Sequence, residues 1–339
     1  MTAMSLARIH APGDIRLDTV DRPAVGPQDV LVAVQRCGIC GSDLSYSKMG
    51  GIPGAASPFA IGHEFAGVVE AVGAEVTGLS PGERVVVNPE GAGNGIGSDG
   101  YKGAFAPYLL FENVAHDPGA LQRLPEGLDY EQGALVEPLA VGMNGVERGM
   151  VGPGDKVAVY GAGPVGLAAG LVARYYGADV VVTDLSELRL EAATRLGLTA
   201  MPAQGDHAAF LRTHHGVVMD QRLGEQPATD VYIEATGVGP VFEQILNTAR
   251  RRARVVLIGV HFAAVELNMI NLLLRELTIT ASQAYDNSVF ERVLAMLASG
   301  EVDTAPLVSH RFPLSEFTAA FEQAGRADES IKVMIDCQQ

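Results

Sequence analysis

The sequence predicts an α/β protein of two parts, a doubly wound parallel-sheet domain and a β-rich domain. Three observations predict it. From Asp155 to Ala284 short β-prone runs alternate with helical ones, as a parallel sheet requires. Within that region Val157–Asp184 reads as strand, glycine turn, helix, strand and carboxylate, the layout that holds a dinucleotide. Before it the chain is rich in short β-prone runs and turn residues, without that alternation.

In chain order, Ser5–His10, Ile15–Val20 and Val30–Arg36 read as strands, punctuated by Gly13-Asp14 and Gly26-Pro27. Phe65–Val72 and Arg84–Val87 are further strands, joined by the turn sequence Gly78-Leu-Ser-Pro-Gly82. A composition shift across residues 141–154 marks the domain boundary. Six strand candidates then follow: Val157–Tyr160, Val180–Thr183, a weak piece at Leu198–Met201, Val231–Glu234, Val255–Ile258 and Leu277–Thr280. Six is the doubly wound count. Past Ala284 come a helix with apolar Val289, Val293, Leu294 and Leu297, an apolar stripe of Leu314, Phe317, Ala320 and Phe321, and an alternating half-buried strand at Ile331, Val333 and Ile335. With six strands already placed, this tail is expected to return to the first domain. The nucleotide domain, 149–284, is then an insertion in a discontinuous domain of 1–148 and 285–339.

In the dinucleotide stretch Gly161 permits the tight turn. Gly163 lets backbone approach a pyrophosphate, and Gly166 lets the helix sit close to its strand. Gly163, Pro164 and Val165 open the helix, whose N-terminus favours phosphate. Asp184 can accept from both hydroxyls of an adenine ribose and would repel a 2′-phosphate, so NAD is expected over NADP. Arg189, just beyond it, is a further cofactor candidate. So are Thr236 and Gly259, in turns at the carboxyl ends of the fourth and fifth strands.

The 339 residues are 47% hydrophobic and 19% charged, a soluble composition with a formal net charge of -16. That charge excludes nucleic acid as a main partner and disfavours anionic membranes. Val157–Ala173 is uncharged, but its glycines and proline argue against a membrane span. Met1–His10 shows no signal-peptide pattern, and three cysteines cannot build a disulfide framework, so a cytoplasmic protein is expected.

Cys40, His63, Glu64 and Glu137 are the chemically dense positions. They lie in Cys37-Gly-Ile-Cys-Gly-Ser-Asp43, Ile61-Gly-His-Glu-Phe-Ala-Gly67 and Ala134-Leu-Val-Glu-Pro-Leu-Ala-Val141. A catalytic zinc takes about three ligands of these types and keeps one position open. Thiolate, neutral imidazole and one carboxylate balance the ion. One glutamate at a time is therefore expected on the metal, the other in reserve, and Cys37 is read as packing.

Together with Leu79–Val87 and Asp230–Gly237, these segments resemble the zinc-dependent medium-chain dehydrogenase/reductase family over essentially the whole chain. The resemblance implies a GroES-like catalytic domain beside a Rossmann domain, a catalytic zinc, and hydride transfer between an alcohol carbon and nicotinamide. It implies Cys40 and His63 as zinc ligands, Glu64 as the exchangeable one, and Glu137 where polyol dehydrogenases carry a glutamate. It also implies Asp43 as the acid orienting the zinc-bound histidine, and Ser42 as the hydroxyl taking the substrate proton. The Glu137-Pro-Leu-Ala pattern is similar to the sorbitol, threonine, idonate and butanediol branch, which implies a secondary alcohol: a polyol, sugar acid or vicinal diol.

Two positions depart from the family. Asn88–Gly103 holds none of the four cysteines of the structural-zinc lobe, so no structural zinc is expected and the loop must be held otherwise or be mobile. Ser45 stands where a relay histidine is common. Ser45, Tyr46, Pro58, Phe59 and Phe111 are candidate pocket residues. Alternatives are a zinc-free, quinone-reductase-like NADPH enzyme and a catalytically weak NAD(H) sensor. A homodimer or homotetramer is expected from bacterial relatives, with the Leu277–Thr280 strand a possible contact.

Overall fold

The computed structural model describes residues 3–339; Met1 and Thr2, which open the segment read for a signal peptide, lie outside the described residues. The chain is α/β. Six strands make one parallel sheet: Lys156–Tyr160, Asp179–Asp184, Thr199–Pro202, Val231–Glu234, Arg254–Leu257 and Thr278–Ala281. Their order across the sheet, counted within this region, is 3-2-1-4-5-6, the doubly wound arrangement. All six strands expected from the sequence are present. The order reverses between Lys156–Tyr160 and Val231–Glu234, where Tyr160 pairs with Glu234. The ligand crevice of such a sheet lies beyond the carboxyl ends at that reversal.

A second sheet has seven strands. Six run Val308–Pro313, Lys332–Asp336, Val30–Gly38, Glu64–Val72, Arg84–Val87, Leu121–Arg123, and Tyr108–Phe111 pairs on Val30–Gly38. At one end of Val30–Gly38, Gly38 pairs with both Glu64 and Met334. A smaller sheet joins Ala3–Ala11 to Asp14–Asp21 and Phe59–Ala60. The tail strand thus lies against the first part of the chain, which supports our proposed division into 1–148 with 285–339 and an inserted 149–284. The apolar core nevertheless runs through that division. Leu139, Met143 and Val146 of the helix Val136–Arg148 share one cluster with Val157, Leu167 and Val289.

Two sequence expectations need correction. The alternation of Ile331, Val333 and Ile335 suggested a half-buried strand, yet Lys332, Val333, Met334 and Ile335 are all buried. Val333 and Ile335 face one core while Met334 faces the other. Phe111, a candidate pocket residue, is wholly buried and pairs with Val30. Eight residues of strand, about 26 Å, separate Val30 from Gly38 at the site end. The uncharged Val157–Ala173 run divides, as read from the sequence, into a strand and the helix Pro164–Tyr175. Among the described residues no helix is long and apolar enough to cross a membrane.

The Asn88–Gly103 loop is held by polar side chains. Asn94 is buried; its amide donates to the carbonyls of Gly91 (3.1 Å) and Glu112 (2.9 Å). Its Oδ1 accepts from the Glu112 N–H (2.9 Å) and from Lys102 Nζ (3.0 Å). Asn88 donates to Asn287 Oδ1 (2.7 Å), tying the loop to the start of the helix Asn287–Ala298.

Candidate active site

Cys40 caps the helix Gly41–Met49. Its backbone N–H donates to Asp43 Oδ2 at 2.9 Å, a capping interaction that fixes the cysteine at the helix mouth. His63 follows Gly62, whose φ of +96° and contact with Phe105 leave room for no side chain. Asp43 joins the two segments. Fully buried, its Oδ1 accepts from the Gly62 N–H (3.2 Å) and lies 3.6 Å from His63 Nδ1. Ser42 Oγ lies 3.4 Å from His63 Nε2. Burial opposes charge on His63, but Asp43 and Cys40 outweigh it and raise its pKa well above the usual range.

Cys40, His63 and Glu64 bring one ligand atom each within 4.8 Å of one another. Sulfur, nitrogen and carboxylate oxygen form the donor set a catalytic zinc uses, so these residues fit the ion. Glu64 is not free. Lys332, equally buried, reaches its two oxygens at 2.6 and 2.5 Å and also donates to the Ile39 carbonyl (3.0 Å). Gly38 makes space for the pair, since a Cβ there would fall 2.4 Å from Glu64 Oε2. Burial works against the Lys332 ammonium, but Glu64 overcomes it and the pKa is raised.

Glu137 stands outside that close trio, in the first turn of Val136–Arg148. Tyr285 donates to its Oε1 at 2.6 Å. Burial pushes the Glu137 carboxyl up to about 7, against the pull of His63. Lys332 and Tyr285 were missed in the sequence. Their partners lie 268 and 148 residues away along the chain, beyond the reach of any local pattern. Of the pocket candidates, Tyr46 stacks edge-on against buried Phe59, with ring centroids 5.5 Å apart. Ser45 donates to the Gly41 carbonyl of its own helix, and no contact gives it a relay role.

The dinucleotide turn has the expected build. Gly161 takes φ +99°, Gly163 caps the helix and Pro164 begins it. A Cβ on Gly166 would lie 1.8 Å from the Gly161 carbonyl oxygen. Asp184 Oδ2 accepts from the Ala162 N–H (2.7 Å) and Oδ1 from the Ser186 N–H (2.9 Å). Arg189 lies 3.7 Å from Asp184 and donates to the Ser330 carbonyl (3.1 Å). Thr236 packs on the Gly161 turn. Glu234, wholly buried, accepts from the N–H groups of Thr236 (2.7 Å) and Gly237 (3.0 Å) and faces His261 Nε2 at 2.9 Å. Gly259 is pressed against Gly237, so this one carboxylate pins both turns at the sheet's carboxyl edge.

Comparison with known proteins matches this architecture. Residues 26–117 match the alcohol dehydrogenase GroES-like domain and residues 164–299 the zinc-binding dehydrogenase domain. This chain belongs to the zinc-binding dehydrogenase family. It is 36% identical to sorbitol dehydrogenase of Mus musculus over 97% of this chain and 94% of that protein. Its fold is similar to that of 2R,3R-butanediol dehydrogenase from Bacillus subtilis, at 29% identity and a TM-score of 0.86, over 98% of this chain and 99% of that one. It also resembles a Sinorhizobium meliloti 1021 protein described as a zinc-binding dehydrogenase and bound to NADP. That match has 28% identity and a TM-score of 0.83, over 99% and 100% of the two chains. The family member described here is an oxidoreductase, and the quinone-reductase-like and sensor alternatives are not favoured.

Proposed function

We propose that this enzyme oxidises a secondary alcohol of the polyol, sugar-acid or vicinal-diol class with NAD. The observation carrying the proposal is the convergence of Cys40, His63 and Glu64 on one point, with Glu137 buried close enough to feel both His63 and Glu64. In this reading Cys40 and His63 hold the zinc, with Glu64 or Glu137 completing the set. When bound, zinc supplies Lewis acidity that lowers the pKa of the alcohol. Asp43 holds the His63 ring in register. Ser42, beside that ring, takes the alcohol proton at Oγ and passes its own outward. Tyr46, backed by Phe59, forms one wall against the substrate. The Gly161 turn and the helix at Pro164 hold the pyrophosphate and so aim the nicotinamide carbon at the reacting centre.

The cofactor choice rests on Asp184, whose oxygens retain lone pairs for a ribose. Arg189 beside it has the charge to meet a 2′-phosphate, but here it is already engaged by Asp184 and Ser330. Three free cysteines support a reducing compartment, the cytoplasm. Self-association is supported by the helix Met269–Arg275, which buries none of its residues, beside the edge strand Thr278–Ala281.

The test is zinc content and NAD reduction over a panel of polyols, sugar acids and diols. Cys40→Ser should lose zinc and at least about 100-fold in turnover, the scale for removing a main charge-stabilising element, while dinucleotide binding persists. Turnover retained without zinc would remove the metal from the reaction. NAD should exceed NADP in kcat/KM, and Asp184→Ser should narrow that gap. Wild-type preference for NADP would refute the role of Asp184.

A further inference from the structure

A second group of ligating side chains lies at the opposite edge of the parallel sheet. Asp179, His214 and His215 bring one ligand atom each within 4.8 Å of one another. Asp179 begins the strand whose other end, Asp184, meets the dinucleotide turn, so about 16 Å of strand separates the two places. His214 and His215 end the helix His207–His215, stopped by Gly216. Their ring centroids are 5.2 Å apart, and His214 Nε2 lies 3.0 Å from Asp179 Oδ1.

His215 is the decisive residue. It is 1% exposed, its Nδ1 sits 2.8 Å from Oγ1 of the fully buried Thr229, and its Nε2 has no hydrogen-bond partner. Buried ring nitrogens are rarely left unpaired. One ring nitrogen held from behind by an oxygen and the other left free is how a metal-binding imidazole is oriented.

We propose that Asp179, His214 and His215 form a second divalent-metal site, suited to zinc, that fastens the end of this helix to the start of the Asp179–Asp184 strand. Two imidazoles and one carboxylate select zinc, nickel or cobalt over magnesium and calcium. Three protein ligands leave one position for water. The helix C-terminus favours a cation. Lys156 Nζ, donating to the His215 carbonyl, opposes one and tempers the affinity. Asp179 and His214 are exposed, so an ion can reach the group from solvent.

The experiment is calorimetric titration of the zinc-loaded enzyme with Zn2+, and with Mg2+ as control. Wild type should bind one further Zn2+ and no Mg2+. His214→Gln and Asp179→Asn, both at exposed positions, should each weaken that binding by at least about tenfold, a loss that even outer-sphere partners of a metal can cause, and leave alcohol-dependent NAD reduction unchanged. Cys40→Ser should keep this equivalent, which separates the proposal from the catalytic reading. No further Zn2+ in wild type, equal affinity in both variants, or equal uptake of Mg2+ would overturn it.

Discussion

The most consequential single residue that sequence reading overlooked is Lys332. A lysine buried to this depth persists because Glu64 and the Ile39 carbonyl accept all that it donates. The pair also settles a matter of charge. Two glutamates near one ion would leave the site too negative, and Lys332 offsets one of them. Lys332→Met strands Glu64 as a buried, unpaired carboxylate. Breaking such a pair from one side costs about 3–5 kcal/mol, so the urea midpoint should fall accordingly. Lys332→Met with Glu64→Gln should recover part of that loss. A double variant no more stable than the single one would show that the ion pair is not the source of the effect.

At the scale of elements, the Asn88–Gly103 loop shows how one buried side chain can hold a glycine-rich loop that contains no cysteine. Its packing is close: Gly97 and Gly103 rest on the backbone of Gly62 and Ile61, the residues leading into His63. The loop therefore buttresses the segment that positions a candidate ligand. Asn94→Ala removes four hydrogen bonds and leaves the Glu112 N–H and carbonyl without this partner, at about 1–3 kcal/mol for each one that water cannot reach. Proteolysis should then begin within residues 88–103, and alcohol turnover should fall even though no catalytic side chain has changed. A variant with wild-type protease resistance would mean that the loop is held by backbone packing alone.

At the scale of the molecule, apolar exposure is concentrated. Phe262, Met269, Ile270 and Leu273 are each at least 67% exposed, and all lie in the segment between the fifth strand and the edge strand Thr278–Ala281. A patch of that kind on a chain with net charge -16 argues for a partner surface, because isolated exposed apolar residues need no explanation but clustered ones do. With a second copy as the partner, Ile270→Lys with Leu273→Glu should shift the sedimentation coefficient to that of the monomer. An unchanged assembly in that variant would place the contact elsewhere.

How much was legible follows from the range of each interaction. Alternating β-prone and helical runs repeat over a few residues, so all six strands of the parallel sheet could be read, together with the glycines that permit the Gly161 turn. Cys40, His63, Glu64 and Glu137 were identifiable as chemical types in recurring motifs. The hairpin Val217–Asp220 with Gly224–Pro227 went unread because it is largely exposed and carries no buried-face period. Phe111 was misread because an aromatic residue looks the same in a pocket and in a core.

The sequence by itself determined the element types, the dinucleotide turn and the identities of the candidate ligands, since each depends on backbone preference or side-chain chemistry carried locally. Only the tertiary structure decided which groups meet. It set Lys332 on Glu64, Tyr285 on Glu137, and His215 with His214 beside Asp179. Those meetings depend on strand order and packing, which bring together residues that no local pattern connects, and burial then sets the charge each group carries.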